Sequence, residues 1–186
     1  RSSAMMLAVS MMFLRFMILI LIFSTSIFLN IYPYLLIMSA TAAGIGIFIH
    51  KKHTIKGERE VIEETETESN PLEFKVALIF ALLFVVFTFL THYTLVYAGT
   101  GGLSILSIAT GLSDITPFIL NLLQGGNIPA TIVGACIMQA IISNIVVNMF
   151  YAIFFSSRRK EMLPYVWKGF LTVIGVNAVL LLIYYF

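Results

Sequence analysis

Sixteen of the twenty charged residues of this chain lie in two short stretches, and that clustering dictates the fold class. Of the twenty Lys, Arg, Asp and Glu residues, twelve lie between Lys51 and Lys75, and four more form the run Arg158, Arg159, Lys160, Glu161. Only Arg1, Arg15, Asp114 and Lys168 stand elsewhere. The segments between are apolar runs, and a helix needs about 20 mainly apolar residues to cross the hydrocarbon layer. With 60% hydrophobic residues, 11% charged and a mean hydropathy of +1.00, the chain reads as an all-α integral membrane protein; a soluble domain carries about 25% charged residues.

Composition excludes several functions. The net charge of +2 and the lack of a basic patch interleaved with aromatics argue against a nucleic-acid partner. The single cysteine, Cys136, permits no disulfide within one chain. The chain starts at Arg1 rather than Met, and its first apolar stretch is far longer than a signal-peptide core and carries Arg15. The chain is therefore expected to be a piece of a larger membrane protein, its partners the lipid bilayer and a preceding membrane region of the same protein, or a second copy.

Five spans and one irregular segment follow from hydropathy and breakers. Ala4–Phe28 forms the first span, and Asn30 and Pro33 are expected to make a tight turn into a second, from Tyr34 to Ile49. Residues 51–70 form a polar linker whose Glu/Thr run reads as solvated chain. Pro71 opens a third span to Tyr97, closed by Gly99, Gly101 and Gly102. Leu103–Gln124 is long enough to cross, yet Gly111 and Pro117 interrupt it and it holds the chain's only aspartate, Asp114. Gly125, Gly126 and Asn127 precede a span from Pro129 to Phe155, and Pro164 opens the last, to Phe186.

Lys and Arg outside the spans set the orientation. Lys51, Lys52, Lys56 and Arg59 place the linker in the cytoplasm, and the uncharged turn at Asn30 places the N-terminus there too. Both glycine turns lack charge. If 103–124 dips into the bilayer and returns, both glycine turns lie outside and Arg158–Lys160 inside, which satisfies every loop. The expected fold is thus five transmembrane helices plus one re-entrant broken segment, with six transmembrane helices as the alternative. Ser113 is expected as the N-cap of the half-helix after Gly111, with Asp114 at its positive end. Irregular backbone at membrane depth is tolerated only where it is buried in protein or lines a water-filled cavity, so the break points to a site.

Asn70-Pro71-Leu72-Glu73, Gly111-Leu112-Ser113-Asp114 and Ser143-Asn144 form an ordered set, joined by Met12-Phe13-Leu14-Arg15 in the first span. This set resembles the C-terminal membrane domain of unknown function found in MgtC/SapB-family proteins. The resemblance covers nearly the whole chain and implies a multi-pass protein of a bacterial or archaeal inner membrane, with no activity attached. The pattern departs at Asn148, where the family would carry a basic residue. The resemblance prompts a search for duplication: residues 1–50 read as the last two helices of a first repeat, 51–70 as the linker, and 71–186 as a second, complete repeat. With a re-entrant segment each repeat crosses three times, so the copies would be inverted, as in many transporters.

No metal, cofactor or enzymatic motif emerges. His50 and His53 stand beside lysines, His92 is alone in an apolar run, and no nucleophile–base pair can be read. Arg15 lies roughly 17 Å along its helix from Ala4, and Asp114 lies at the break. Charges at membrane depth cost about 3 kcal/mol or more and mark a pair or a pathway. The two are expected to meet directly or to share a bridging water. Gln139, Ser143, Asn144 and Asn148 form a polar wedge on the following span. The pathway residues are therefore Arg15, Gly111, Ser113, Asp114, Gln139, Ser143, Asn144 and Asn148. The expected function is transport of a small ion or polar solute without a cofactor, against the alternative of a non-transporting membrane regulator that binds a partner.

Overall fold

The computed structural model describes residues 2–53, 72–125, 128–156 and 163–185, all helix apart from short connections. The helices are α1 (Ser2–Phe23), α2 (Thr25–His53), α3 (Leu72–Thr110), α4 (Thr116–Gln124), α5 (Ala130–Ser156) and α6 (Leu163–Tyr185). Four are long and apolar enough to cross a membrane, and the apolar part of α1, Leu7–Phe23, is somewhat shorter. The described residues form an all-helical membrane protein. Most of the linker, Gly126, Asn127 and the basic run Arg158–Lys160 lie outside the described residues.

α1 and α2 form a tight antiparallel hairpin. Val9, Phe13, Phe16 and Ile20 recur every three or four residues along α1 and are buried, as are Ile27, Ile31, Leu35, Met38 and Ala42 along α2. The other faces are equally apolar: Met11, Ile18, Ile22, Leu29 and Phe48 are exposed, the pattern of helices with lipid on one side. Close packing and interhelical hydrogen bonds hold such pairs, since lipid is as apolar as the core. One such bond runs from Ser39 Oγ to the Ser10 carbonyl (3.4 Å).

The expected turn at Asn30–Pro33 is not where the hairpin reverses. The break falls at Ser24, and Pro33 lies inside α2. Ser24 Oγ accepts from the Ile27 N–H (3.4 Å) and its carbonyl from the Phe28 N–H (2.9 Å), so a serine begins the second helix. Pro33 survives because membrane helices tolerate the missing N–H through local adjustment.

Gly99 divides α3 into a long arm, 72–98, and a short arm, 100–110. Its φ of 60° and ψ of −152° are open essentially to glycine alone. The chain folds back here: a Cβ on Gly102 would lie 2.8 Å from Thr94 Cγ2, eight residues earlier. The long arm carries Phe74, Leu78, Ile79, Leu82, Phe89 and Tyr97 on its exposed surface, and only 11% of the most apolar stretch of α3 is buried. α5 is the central helix, with 133–138, Ala140, Ile141, Ile145 and Met149 buried. α6 lays Phe170, Val173, Asn177 and Leu180 inward and packs mainly on α5.

Candidate functional site

The chain leaves helical geometry between Thr110 and Thr116, and several backbone groups there pair with polar side chains. The N–H groups of Gly111, Leu112 and Ser113 donate to the carbonyls of Ile108, Ala109 and Thr110 in a last tight turn. From α5, Ser143 Oγ donates to the Ile108 carbonyl (2.6 Å) and Asn144 Nδ2 to the Gly111 carbonyl (3.3 Å). The Gly111 carbonyl has left the helical ladder and takes its partner from Asn144, while the Ile108 carbonyl accepts from both the Gly111 N–H and Ser143. Gly111 is required for this approach, because a Cβ there would lie 2.7 Å from the Ser143 carbonyl carbon.

Ser113 is not the N-cap of the second half-helix. Its hydroxyl turns back to the Thr110 carbonyl (3.2 Å), α4 begins only at Thr116, and Ile115 at the cap position makes no side-chain cap. Asp114 does the work instead: Oδ1 accepts from the Thr116 N–H (2.9 Å) and from the Thr116 hydroxyl (2.7 Å). A carboxylate reaches the N–H two residues on more readily than a serine hydroxyl placed one residue further back. Pro117 in the first turn costs nothing, since that N–H has no helical partner anyway.

Arg15 comes to the same place from the middle of α1. Its Nη2 donates to Thr116 Oγ1 (3.2 Å), the hydroxyl whose proton goes to Asp114. The two charges are therefore linked through one threonine hydroxyl, and no direct Arg15–Asp114 ion pair exists among the described residues. Thr116 is buried, whereas Arg15 and Asp114 are both exposed at the surface of the chain.

A second polar line leads away from the break along α5. Asn148 Nδ2 donates to Asn144 Oδ1 (3.1 Å), which extends the connection from the Gly111 carbonyl by one helical turn. Asn148 in turn lines a cavity of about 340 Å³ between α1, α5 and α6, walled by Ala8, Val9, Met12, Tyr151, Ala152 and Phe170. Gly111, Ser143, Asn144 and Asn148 thus form one connected set, with Arg15, Ser113 and Asp114 at the same break. Gln139 does not join them: its Nε2 donates to the Tyr185 hydroxyl of α6 (3.0 Å). Among the described residues, no three His, Cys, Asp or Glu side chains gather as a metal site would need.

Two features escaped the sequence reading. Thr116, the bridging residue, was signalled only by its place two residues after Asp114 and just before Pro117. Gly134 marks a three-helix crossing, where an added Cβ would lie 2.7 Å from Ile31 Cγ2 of α2 and 2.9 Å from Tyr184 Cζ of α6. No spacing pattern announces it, since a single glycine in an apolar helix carries no periodic signal.

The family described as "Domain of unknown function (DUF4010)" matches residues 2–156, which contain the whole polar set. An uncharacterized protein of Aquifex aeolicus (strain VF5) is 24% identical over 153 residues, covering 81% of this chain and 63% of its own length. This chain therefore spans under two thirds of that relative. No solved structure matches the chain. None of these findings carries a link to MgtC/SapB proteins.

Proposed function

The chain belongs to the DUF4010 family, a domain of unknown function, and from that premise we propose that it moves a small ion or polar solute across a bacterial or archaeal inner membrane. One observation carries the reading: two opposite charges, Arg15 and Asp114, are held at a helix break, and from the same break a separate polar pair, Asn144 and Asn148, runs along α5 to an open cavity. Ionisable residues at membrane depth mark substrate or ion pathways. Broken helices at that depth are how transporters present backbone and side-chain groups to a solute. We read the protein as non-enzymatic and free of cofactors.

The topology that suits this function is five crossings with residues 100–124 re-entrant. What supports it is the fold-back at Gly99 together with two contacts of α4. Asn121 Nδ2 donates to Thr88 Oγ1 (2.7 Å), and the Phe118 and Phe87 rings meet edge to face. Thr88 lies eleven residues before Gly99 and Ile108 nine after it, about 17 and 14 Å along their arms. Asn121 is thus about 3 Å beyond Ile108 and level with the end of the short arm at Thr110, so α4 stays at that depth beside Phe87 and Thr88 instead of running on across the bilayer. The charge rule then places the chain's N-terminus and the 51–70 linker in the cytoplasm.

An inverted repeat fits the same frame. Arg15 lies 18 residues before Pro33, and Asn148 16 before Pro164. In each repeat the residue five places earlier is a serine, Ser10 or Ser143. The likeness to the C-terminal membrane domain of MgtC/SapB-family proteins belongs to the same proposal.

The test is solute flux in sealed proteoliposomes, with a panel of inorganic ions and small polar solutes. Flux abolished by Asp114→Asn supports the reading, and a protein inert to the whole panel overturns it. A second reading, a regulator that docks another membrane protein, is favoured by the bare apolar surface of the long arm of α3.

A further inference from the structure

Resting on that reading, we propose that the transported solute is a small zwitterion, with its carboxylate on Arg15 and its ammonium on Asp114. Both charged side chains keep unused hydrogen-bonding capacity. A guanidinium has five N–H donors, and Arg15 uses one, on Thr116, among the described residues. Asp114 receives both of its hydrogen bonds on Oδ1, and Oδ2 accepts none among the described residues. Both side chains are exposed rather than packed away. The planar fork of an arginine matches a carboxylate in two parallel bonds, and an ionised aspartate accepts from an ammonium.

The spacing selects for both charges on one small molecule. Thr116 Oγ1 lies 3.2 Å from Arg15 Nη2 and 2.7 Å from Asp114 Oδ1, so these two legs bound the separation of the charges. An α-amino acid holds its ammonium and carboxylate on a single carbon and can span such a gap while touching both. A lone anion on Arg15 would sit within reach of Asp114, and a lone cation on Asp114 within reach of Arg15. Each meets repulsion that a zwitterion escapes, and that repulsion is strong where water is scarce. The bridging hydroxyl spends its proton on Asp114 and a lone pair on Arg15, which keeps the charges apart when the site is empty and stops them from collapsing into a closed pair.

The experiment measures uptake of labelled glycine, β-alanine and γ-aminobutyrate by the full chain in proteoliposomes, beside methylammonium and acetate as single-charge controls. Glycine is expected to be taken up fastest and γ-aminobutyrate slowest of the zwitterions, with both controls at least tenfold below glycine. Arg15→Gln should lower glycine uptake and raise the methylammonium-to-glycine ratio at least tenfold. Asp114→Asn should raise the acetate-to-glycine ratio by a similar factor. A purely structural role for the charges would not move these ratios in opposite directions. Arg15→Lys and Asp114→Glu, which keep both charges, should keep the preference for zwitterions. Equilibrium dialysis of glycine against the purified protein and each variant reads binding without flux. If inorganic ions or single-charge solutes pass and zwitterions do not, the zwitterion inference is overturned while transport stands. If nothing passes and glycine does not bind, both fall.

Discussion

Replacing Gly111 by alanine asks how tightly the broken segment is seated on α5. The new methyl group would lie 2.7 Å from the Ser143 carbonyl carbon, with the Ser143 side chain nearer still. Backbone cannot swing aside as a flexible side-chain end can, so the short arm and α5 must separate by about 1 Å to restore an ordinary 3.5–4.0 Å carbon contact. Overpacking of this kind costs about 1–3 kcal/mol. The separation also stretches the Ser143–Ile108 and Asn144–Gly111 hydrogen bonds, each worth about 0.6 kcal/mol between membrane helices. The expected loss is about 2–4 kcal/mol. Gly44→Ala is the control, because nothing lies within 4 Å of a Cβ there, and alanine gains about 0.5–1 kcal/mol over glycine inside a helix. The assay is unfolding in mixed micelles, followed by circular dichroism. If Gly111→Ala unfolds within about 0.5 kcal/mol of the parent, the close approach to α5 is refuted; the margin is that expected of a surface substitution away from such features.

Other outcomes test separate parts of the fold. Gly99→Ala should destabilise by about 1–3 kcal/mol in the same assay although the space around it is open, because the cost is in the backbone conformation; a neutral result would remove the need for a glycine at the fold-back. Tyr184→Phe should stabilise by about 1 kcal/mol, since the Tyr184 hydroxyl is buried without a partner, and Gly134→Ala should be milder in that background, which a double-mutant cycle reads. Single cysteines at Gly101 and Gly125 should label from the same face of intact vesicles; labelling from opposite faces would establish a sixth crossing. Thr116→Val should lower glycine uptake less than Arg15→Gln does, because it removes the bridge and leaves both charges, and a larger loss would make the hydroxyl itself the essential group.

Sequence carried the helices better than their junctions. Pro129 stands just before the first residue of α5, where proline is favoured, so that start was legible. The same rule misled at Pro33, because the serine that starts α2 was read as an interruption within an apolar run. Gly99, Gly101 and Gly102 announced an end to the long arm, and only the φ of +60° reveals that the end is a reversal. At the break, Arg15 and Asp114 were visible because charge is so rare in this chain. Thr116 was not, since threonines in apolar helices usually bond their own backbone, as Thr41, Thr88 and Thr172 do here. Its partner Arg15 lies 101 residues away, a separation no local pattern encodes. Gln139 looked equivalent to Asn148 on composition, and the facing helix separates them: one meets Tyr185, the other the cavity.

The reversal at Gly99 also has a consequence for biosynthesis. The carbonyl of Ile108 finds its hydroxyl on Ser143, 35 residues further along the chain, and that of Gly111 finds its amide on Asn144, 33 residues further along. At about 5–20 residues per second of synthesis, these groups wait roughly 2–7 s before their partners leave the ribosome. During that interval the short arm and α4 are an apolar stretch long enough to be threaded across the bilayer in the ordinary way. On the re-entrant topology proposed above, arrival of α5 draws them back, and the final topology of this segment is then decided after insertion, by a helix that the ribosome has yet to make.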